Sequence, residues 1–155
     1  MEVSCRKHID APTDTVWALM TDLESFPETV SGIEGVERLD DGTGFGLGTT
    51  WRETRTMFGR TATEDMWVTE FEPGRSYVVE ANSHGTEYRT SQRIEPDGDG
   101  SVLTMTFSGT ATGTIAKIMS ATVGRLFAKA TKNAFEQDLA DIAAAAEAAS
   151  EAPSS

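Results

Sequence analysis

The sequence is short of the residues that build metal centres and disulfide frameworks: one cysteine, Cys5, and two histidines, His8 and His84, in 155 residues. A single cysteine excludes a disulfide framework or a multi-cysteine zinc site, and it fits a reducing compartment. The three residues stand at no recurring ligand spacing, so neither a metal nor another cofactor is expected. There is also no nucleophile elbow and no local Cys-His pair. Basic residues are scarce, 13 against 25 acidic ones, for a formal charge of -12. A phosphate backbone would be repelled, so nucleic acid is not an expected partner. No stretch approaches the roughly 18 apolar residues of a membrane helix. The start, Met1 to Pro12, lacks the apolar run of a signal peptide. The expectation is a soluble, cytoplasmic monomer or homodimer of one domain, residues 1–149, with a disordered tail over 150–155.

The long C-terminal stretch, Thr114 to Ala149, is sparse in glycine and free of proline, and its length predicts a many-turn helix. At about 100° per residue, Phe135, Leu139, Ile142 and Ala146 form one stripe. Carried back, that stripe meets Thr131, Ala128, Gly124 and Ala121, while Ile115, Met119, Val123 and Leu126 lie on another face. Either the helix bends near Lys132 and Asn133, or it stays straight and turns small residues to the core. A stripe of small residues leaves room for a ligand, or it marks close packing onto a sheet.

Before the helix, alternation and turn residues mark strands. Glu2 to Ile9 is a strand stopped by Asp10-Ala11-Pro12; a short helix runs from Pro12 to about Asp22, and Leu23 to Thr29 is a second helical piece interrupted by Pro27. Strands follow over 33–39, 49–58, 61–71, 75–82, 87–95 and 101–111, separated by short Gly-containing turns that require antiparallel neighbours. His84-Gly85 is one such turn. The fold class is α+β.

The segments Ile9-Asp10-Ala11-Pro12, Val16-Trp17 and Thr21-Asp22-Leu23-Glu24 with Pro27 resemble the SRPBCC superfamily, the START and Bet v 1-like helix-grip proteins, and its polyketide cyclase/dehydrase-like members. Gly48 with Trp51, Val68-Thr69-Glu70-Phe71-Glu72-Pro73 and Ile94-Glu95-Pro96 extend the resemblance over nearly the whole chain. It implies a curved seven-stranded antiparallel sheet wrapped around the C-terminal helix, two short helices after the first strand, and a hydrophobic cavity between sheet and helix. It also implies that the Gly-rich loop, Gly42 to Gly48, is a mobile loop at the cavity entrance. That loop lacks the following helix that a phosphate grip requires, because a strand comes next.

Period-two alternation assigns the faces of the strands. Tyr77, Val79 and Ala81 point inward, as do Tyr88, Thr90, Gln92 and Ile94, and Leu103, Met105, Phe107 and Ala111. On the 61–71 strand Met66 and Val68 point inward, which carries Glu70 with them. If Trp51 and Met57 point inward, Glu53 and Arg55 follow; the other face, Arg52, Thr54 and Thr56, is equally polar, and the rarity of buried charge favours an exposed Glu53–Arg55 pair. The candidate ligand wall is therefore Trp51, Met66, Val68, Tyr77, Val79, Tyr88, Gln92, Met105 and Phe107, with Ala121, Gly124 and Ala128 from the helix. Glu53, Arg55, Glu70 and Tyr88 are the candidates for proton transfer, since a buried acid beside an arginine can orient a carbonyl or move a proton.

Three functions fit this pattern. The first is binding or transport of a small hydrophobic metabolite such as a lipid, isoprenoid or polyketide. The second is a cyclase/dehydratase in which shape and one or two polar groups do the work. The third is an interaction module that docks through Ile115, Met119, Val123 and Leu126.

Overall fold

The computed structural model describes residues 1–57, 59–83, 85–111 and 121–151. The predicted helix start at Thr114, Ile115, Met119, His84 and residues 152–155 lie outside the described residues, as do the side chains of Met57, Ala111, Ala121 and Val123.

The elements are β1 (Glu2–Ile9), α1 (Thr13–Met20), a 3-10 turn (Leu23–Ser25), α2 (Phe26–Thr29), β2 (Ile33–Arg38), β3 (Thr50–Met57), β4 (Arg60–Glu72), β5 (Ser76–Ser83), β6 (Thr86–Asp97), β7 (Gly100–Ala111) and α3 (Ala121–Glu151). The seven strands form one antiparallel sheet in the order β1-β7-β6-β5-β4-β3-β2. This is the helix-grip arrangement: α1 and α2 cross from one sheet edge to the other, and α3 packs against β1 and α1.

Local chemistry accounts for most of the boundaries. Pro12, with φ -67° and no N–H to lose, stands at the N-cap of α1, and Asp14 lies in its positive first turn. Val16 and Met20 then bury one face. Pro27 does not interrupt the second helical piece; it lies in the first turn of α2, where a missing N–H costs nothing. Gly100 opens β7 where a Cβ would stand 2.4 Å from the carbonyl oxygen of Ile9, so no larger residue fits without a backbone shift.

Two buried side-chain bonds fasten α1 to the sheet. Tyr77 Oη donates to the Met20 carbonyl at 2.7 Å, and Ser101 Oγ donates to the Ala11 carbonyl at 2.7 Å. Asp141 of α3 accepts from Ser31 N and Oγ at 2.9 and 2.7 Å, and Glu147 accepts from Asp10 N at 2.9 Å. The long helix is thus tied at its C-terminal half to both ends of the α1–α2 crossing.

α3 is unbroken across Lys132 and Asn133, so the expected change of apolar face is not a break. The face is wide instead. Leu139, Ala143 and Ala146 are buried in the core, while the row Phe127, Thr131, Phe135, Asp138 and Ile142 lies roughly a quarter turn round the helix. The helix continues through Ser150 and Glu151, two residues beyond the boundary expected for the tail, as its Ala- and Glu-rich composition favours.

Candidate functional site

Between the concave face of the sheet and the second flank of α3 lies a cavity of about 390 Å³. Its floor comes from alternate residues of five strands, and its roof from Phe127, Thr131, Phe135, Asp138 and Ile142. Leu19, Met20, Phe26, Val30 and Ile33 close one side. Among the described lining residues only Arg60 and Ala62 are exposed, so the mouth lies at the β3–β4 hairpin.

The opposite end is sealed by aromatic side chains. Phe45, from the Gly-rich loop, has its ring centroid 4.8 Å from Tyr77, 5.9 Å from Trp51, and 6.3 Å from both Phe26 and Phe71. The loop is further held by Asp40, which accepts from Gly42 N and Thr50 N at 2.7 and 2.8 Å, and by the Arg38 guanidinium on the Gly44 carbonyl. It is a plug tied to the core, where a mobile entrance loop was expected. A second aromatic group, Tyr88 stacked on Phe107 at 5.4 Å with Phe135 5.3 Å beyond, lines the cavity itself.

The polar groups of the site centre on β3. Trp51 is 2 % exposed, and the period of two carries Glu53, at 5 %, inward beside it. Arg55 follows on the same face. The expectation of an exposed Glu53–Arg55 pair fails because the charges find partners inside. Trp51 Nε1 donates to Glu53 Oε1 at 3.3 Å, Arg55 Nε donates to Glu53 Oε2 at 3.5 Å, and Arg55 Nη1 donates to Asp138 Oδ1 at 3.1 Å. Burial pushes the carboxyls of Glu53 and Asp138 above the usual carboxylate range, against the pull of Arg55. Burial likewise raises the Tyr77 hydroxyl, which is committed to Met20.

Trp51, Met66, Tyr77, Val79, Tyr88, Gln92, Met105 and Phe107 all line the cavity. Val68 is buried in the core and is not a lining residue. Glu70 is a correction. The β4–β5 register shifts between Val68 and Glu70, so one extra residue turns the chain over; Glu70 is exposed and pairs with Arg89 on the outer face, and Phe71 takes the inward place. Gly124 and Ala128 are also absent from the wall: a Cβ on Gly124 would meet nothing within 4 Å, and Ala128 packs against the core. The small residues therefore mark neither the ligand space nor a tight contact at Gly124. Leu126 is 65 % exposed, while its three companions on the proposed docking face lie outside the described residues or side chains.

The residue that sequence reasoning missed is Asp138. It lies three residues after Phe135 and four before Ile142, so a carboxyl on an apolar row was the available signal. Thr131 had been placed on the inward stripe, and its hydroxyl is buried without a hydrogen-bond partner. The described residues contain no cluster of three or more possible metal ligands. None of their helices is long and apolar enough to cross a membrane.

Residues 1–147 match the family described as polyketide cyclase / dehydrase and lipid transport. The chain belongs to this family. Solved structures share its fold at low identity. TTHA0849 from Thermus thermophilus is 20% identical with a TM-score of 0.80, the match covering 97% of this chain and 100% of that one. The Zhui aromatase/cyclase from Streptomyces sp. R1128 is 18% identical with a TM-score of 0.76, covering 95% and 93%. Ginseng major latex-like protein 151 from Panax ginseng is 12% identical with a TM-score of 0.72, covering 98% of each chain. No curated protein matches the chain in sequence. The family description thus spans catalysts and carriers, and the fold alone does not choose between them.

Proposed function

We propose that this family member binds one small, largely apolar molecule in the cavity between the sheet and α3, with a polar end set against Arg55, Glu53 and Asp138. The observation that carries this reading is the make-up of the cavity: about 390 Å³, walled by Trp51, Met66, Val79, Tyr88, Met105 and Phe107, with a few convergent polar groups at one depth. Small-molecule sites have this size and composition. A cavity built only as packing would be filled, because voids of this volume cost stability. The family description, which includes lipid transport, supports the same reading.

Titration with N-phenyl-1-naphthylamine, a neutral dye whose emission rises in apolar surroundings, tests it. Saturable binding at one site is expected, and Met105→Trp, which fills the cavity, abolishes it. A fluorescence change that does not saturate, together with no apolar molecule retained in native mass spectra of protein from its own host, overturns the reading.

A second reading is a cyclase or dehydratase, favoured by the two buried carboxyls. An acid whose pKa is raised by burial holds a proton near neutrality and can deliver it to a bound carbonyl or hydroxyl, while Arg55 orients the oxygen. If Glu53→Gln and Asp138→Asn both leave turnover of a polyketide substrate unchanged, this assignment fails.

A further inference from the structure

The arrangement of charge in the cavity narrows the ligand beyond its size. Glu53 on β3 and Glu64 on β4 are direct cross-strand partners, and both line the cavity with Asp138. Opposed side chains in such a pair start about 5 Å apart. Ser83 Oγ donates to Glu64 at 2.7 Å, which ties that carboxyl without neutralising it. Two guanidinium groups answer these three acids. Arg55 is engaged by Glu53 and Asp138, and Arg60 stands at the exposed rim.

A carboxylate ligand reaching the polar end would add a fourth negative charge to this group in a poorly solvated space. Like charges at close range there disfavour the ionised form strongly. A hydroxyl or carbonyl brings no such penalty. It accepts from a guanidinium edge, and a hydroxyl also donates to a carboxylate oxygen.

An independent observation points to a second oxygen. Thr131 is 1 % exposed, lines the same cavity, and its Oγ1 has no hydrogen-bond partner. Buried hydroxyls are rarely left so, and the missing partner belongs in the cavity. Thr131 and Asp138 are seven residues apart on one helix, about 10 Å. Phe135 lies between them, beside Phe107.

Resting on the binding reading above, we propose that the cavity selects a neutral, oxygenated molecule over its carboxylate counterpart, with Thr131 Oγ1 taking one oxygen and the Arg55–Asp138 end taking another. The ligand class is a flat hydroxylated or carbonyl-bearing hydrocarbon with oxygens at opposite ends. Free fatty acids are disfavoured.

Calorimetric titration at about pH 7.5 with 2-naphthol, 2,6-dihydroxynaphthalene and 2-naphthoate, three molecules of similar shape, tests the proposal. The expected result is that 2-naphthol binds at least about tenfold more tightly than 2-naphthoate, a difference set by ligand charge. The second hydroxyl of 2,6-dihydroxynaphthalene adds affinity. Thr131→Val removes that addition and leaves 2-naphthol unchanged, whereas Thr131→Ser, which keeps the hydroxyl, retains it. Equal affinity for naphthol and naphthoate overturns the charge selection while leaving the binding reading in place. Identical behaviour of the Val and Ser variants overturns the Thr131 contact. Failure of all three compounds and of the neutral dye to bind overturns the binding reading as well.

Discussion

Arg55 on β3 and Asp138 on α3, 83 residues apart in the chain, meet at 3.0 Å across the cavity. With Glu53 on the other side of the guanidinium, the pair makes a buried acid–base–acid row in which sheet and helix hold each other's charge.

Removing the middle member exposes both neighbours to uncompensated burial. Arg55→Met is expected to lower stability by about 3–5 kcal/mol at neutral pH, as for other buried pairs broken from one side. Urea denaturation measures it. Adding Asp138→Leu should restore part of the loss, and the cycle of single and double variants gives a coupling of about 1 kcal/mol or more.

The two acids also set a pH dependence. Burial raises the folded pKa of Glu53 above its ordinary 4.5 and that of Asp138 above 3.8, so each binds its proton more tightly when folded. Their contribution to stability is complete below those values and is lost as pH rises through the raised folded pKa. Glu53→Gln removes one such titration. Relative to the unchanged chain, the variant should gain stability as pH is raised from about 4 toward 7 in a series of denaturation curves. A constant difference across that range would show that Glu53 titrates alike in both states.

His8 works on the surface with the same sign. Its Nδ1 faces Asp97 at 2.9 Å and its Nε2 faces Asp10 at 3.0 Å, so both ring nitrogens donate only in the imidazolium form. The hydrogen bonds to Asp97 and then Asp10 raise its pKa above 6.5. This link between the β6–β7 turn and the end of β1 is complete below 6.5 and is lost as pH rises through the raised value. A proton NMR titration of the His8 ring should place its midpoint above 6.5, and Asp97→Asn should lower it.

Two glycines should respond in opposite ways to one methyl group. Gly124 lies within α3 with free space around its would-be Cβ, so Gly124→Ala should stabilise by about 0.5–1 kcal/mol through backbone entropy and helix propensity. Gly100→Ala forces a Cβ against the Ile9 carbonyl oxygen and should destabilise, with a lower melting temperature as the readout.

The element order was legible because it rests on local signals. Turn glycines, Pro12, and the alternation of Leu103, Met105 and Phe107 act over a few residues, and they place β7, α1 and the hairpins near their observed bounds. Trp51, Tyr77, Tyr88 and Gln92 were legible as inward-facing for the same reason. Glu70 was not, because a single-residue bulge inverts the period without leaving a mark in composition. Arg55 and Glu53 could not be assigned to a face from their own strand. What buries them is Asp138, whose proximity is a property of the closed sheet–helix pair and of no local window. The small-residue stripe misled because the cavity-facing row lies beside it on α3, where Phe127 and Phe135 supply bulk.

Phe45 closes the cavity at one end, and the mouth at Arg60 and Ala62 opens the other. A space with one door has one path, so a molecule leaves by retracing its entry and crosses the same barrier in both directions. Changes confined to that rim then act as a valve: they speed or slow arrival and departure by the same factor and leave the dissociation constant where it was. Affinity is set inside, around Arg55 and Thr131; residence time is set at the hairpin, and the two can be altered independently.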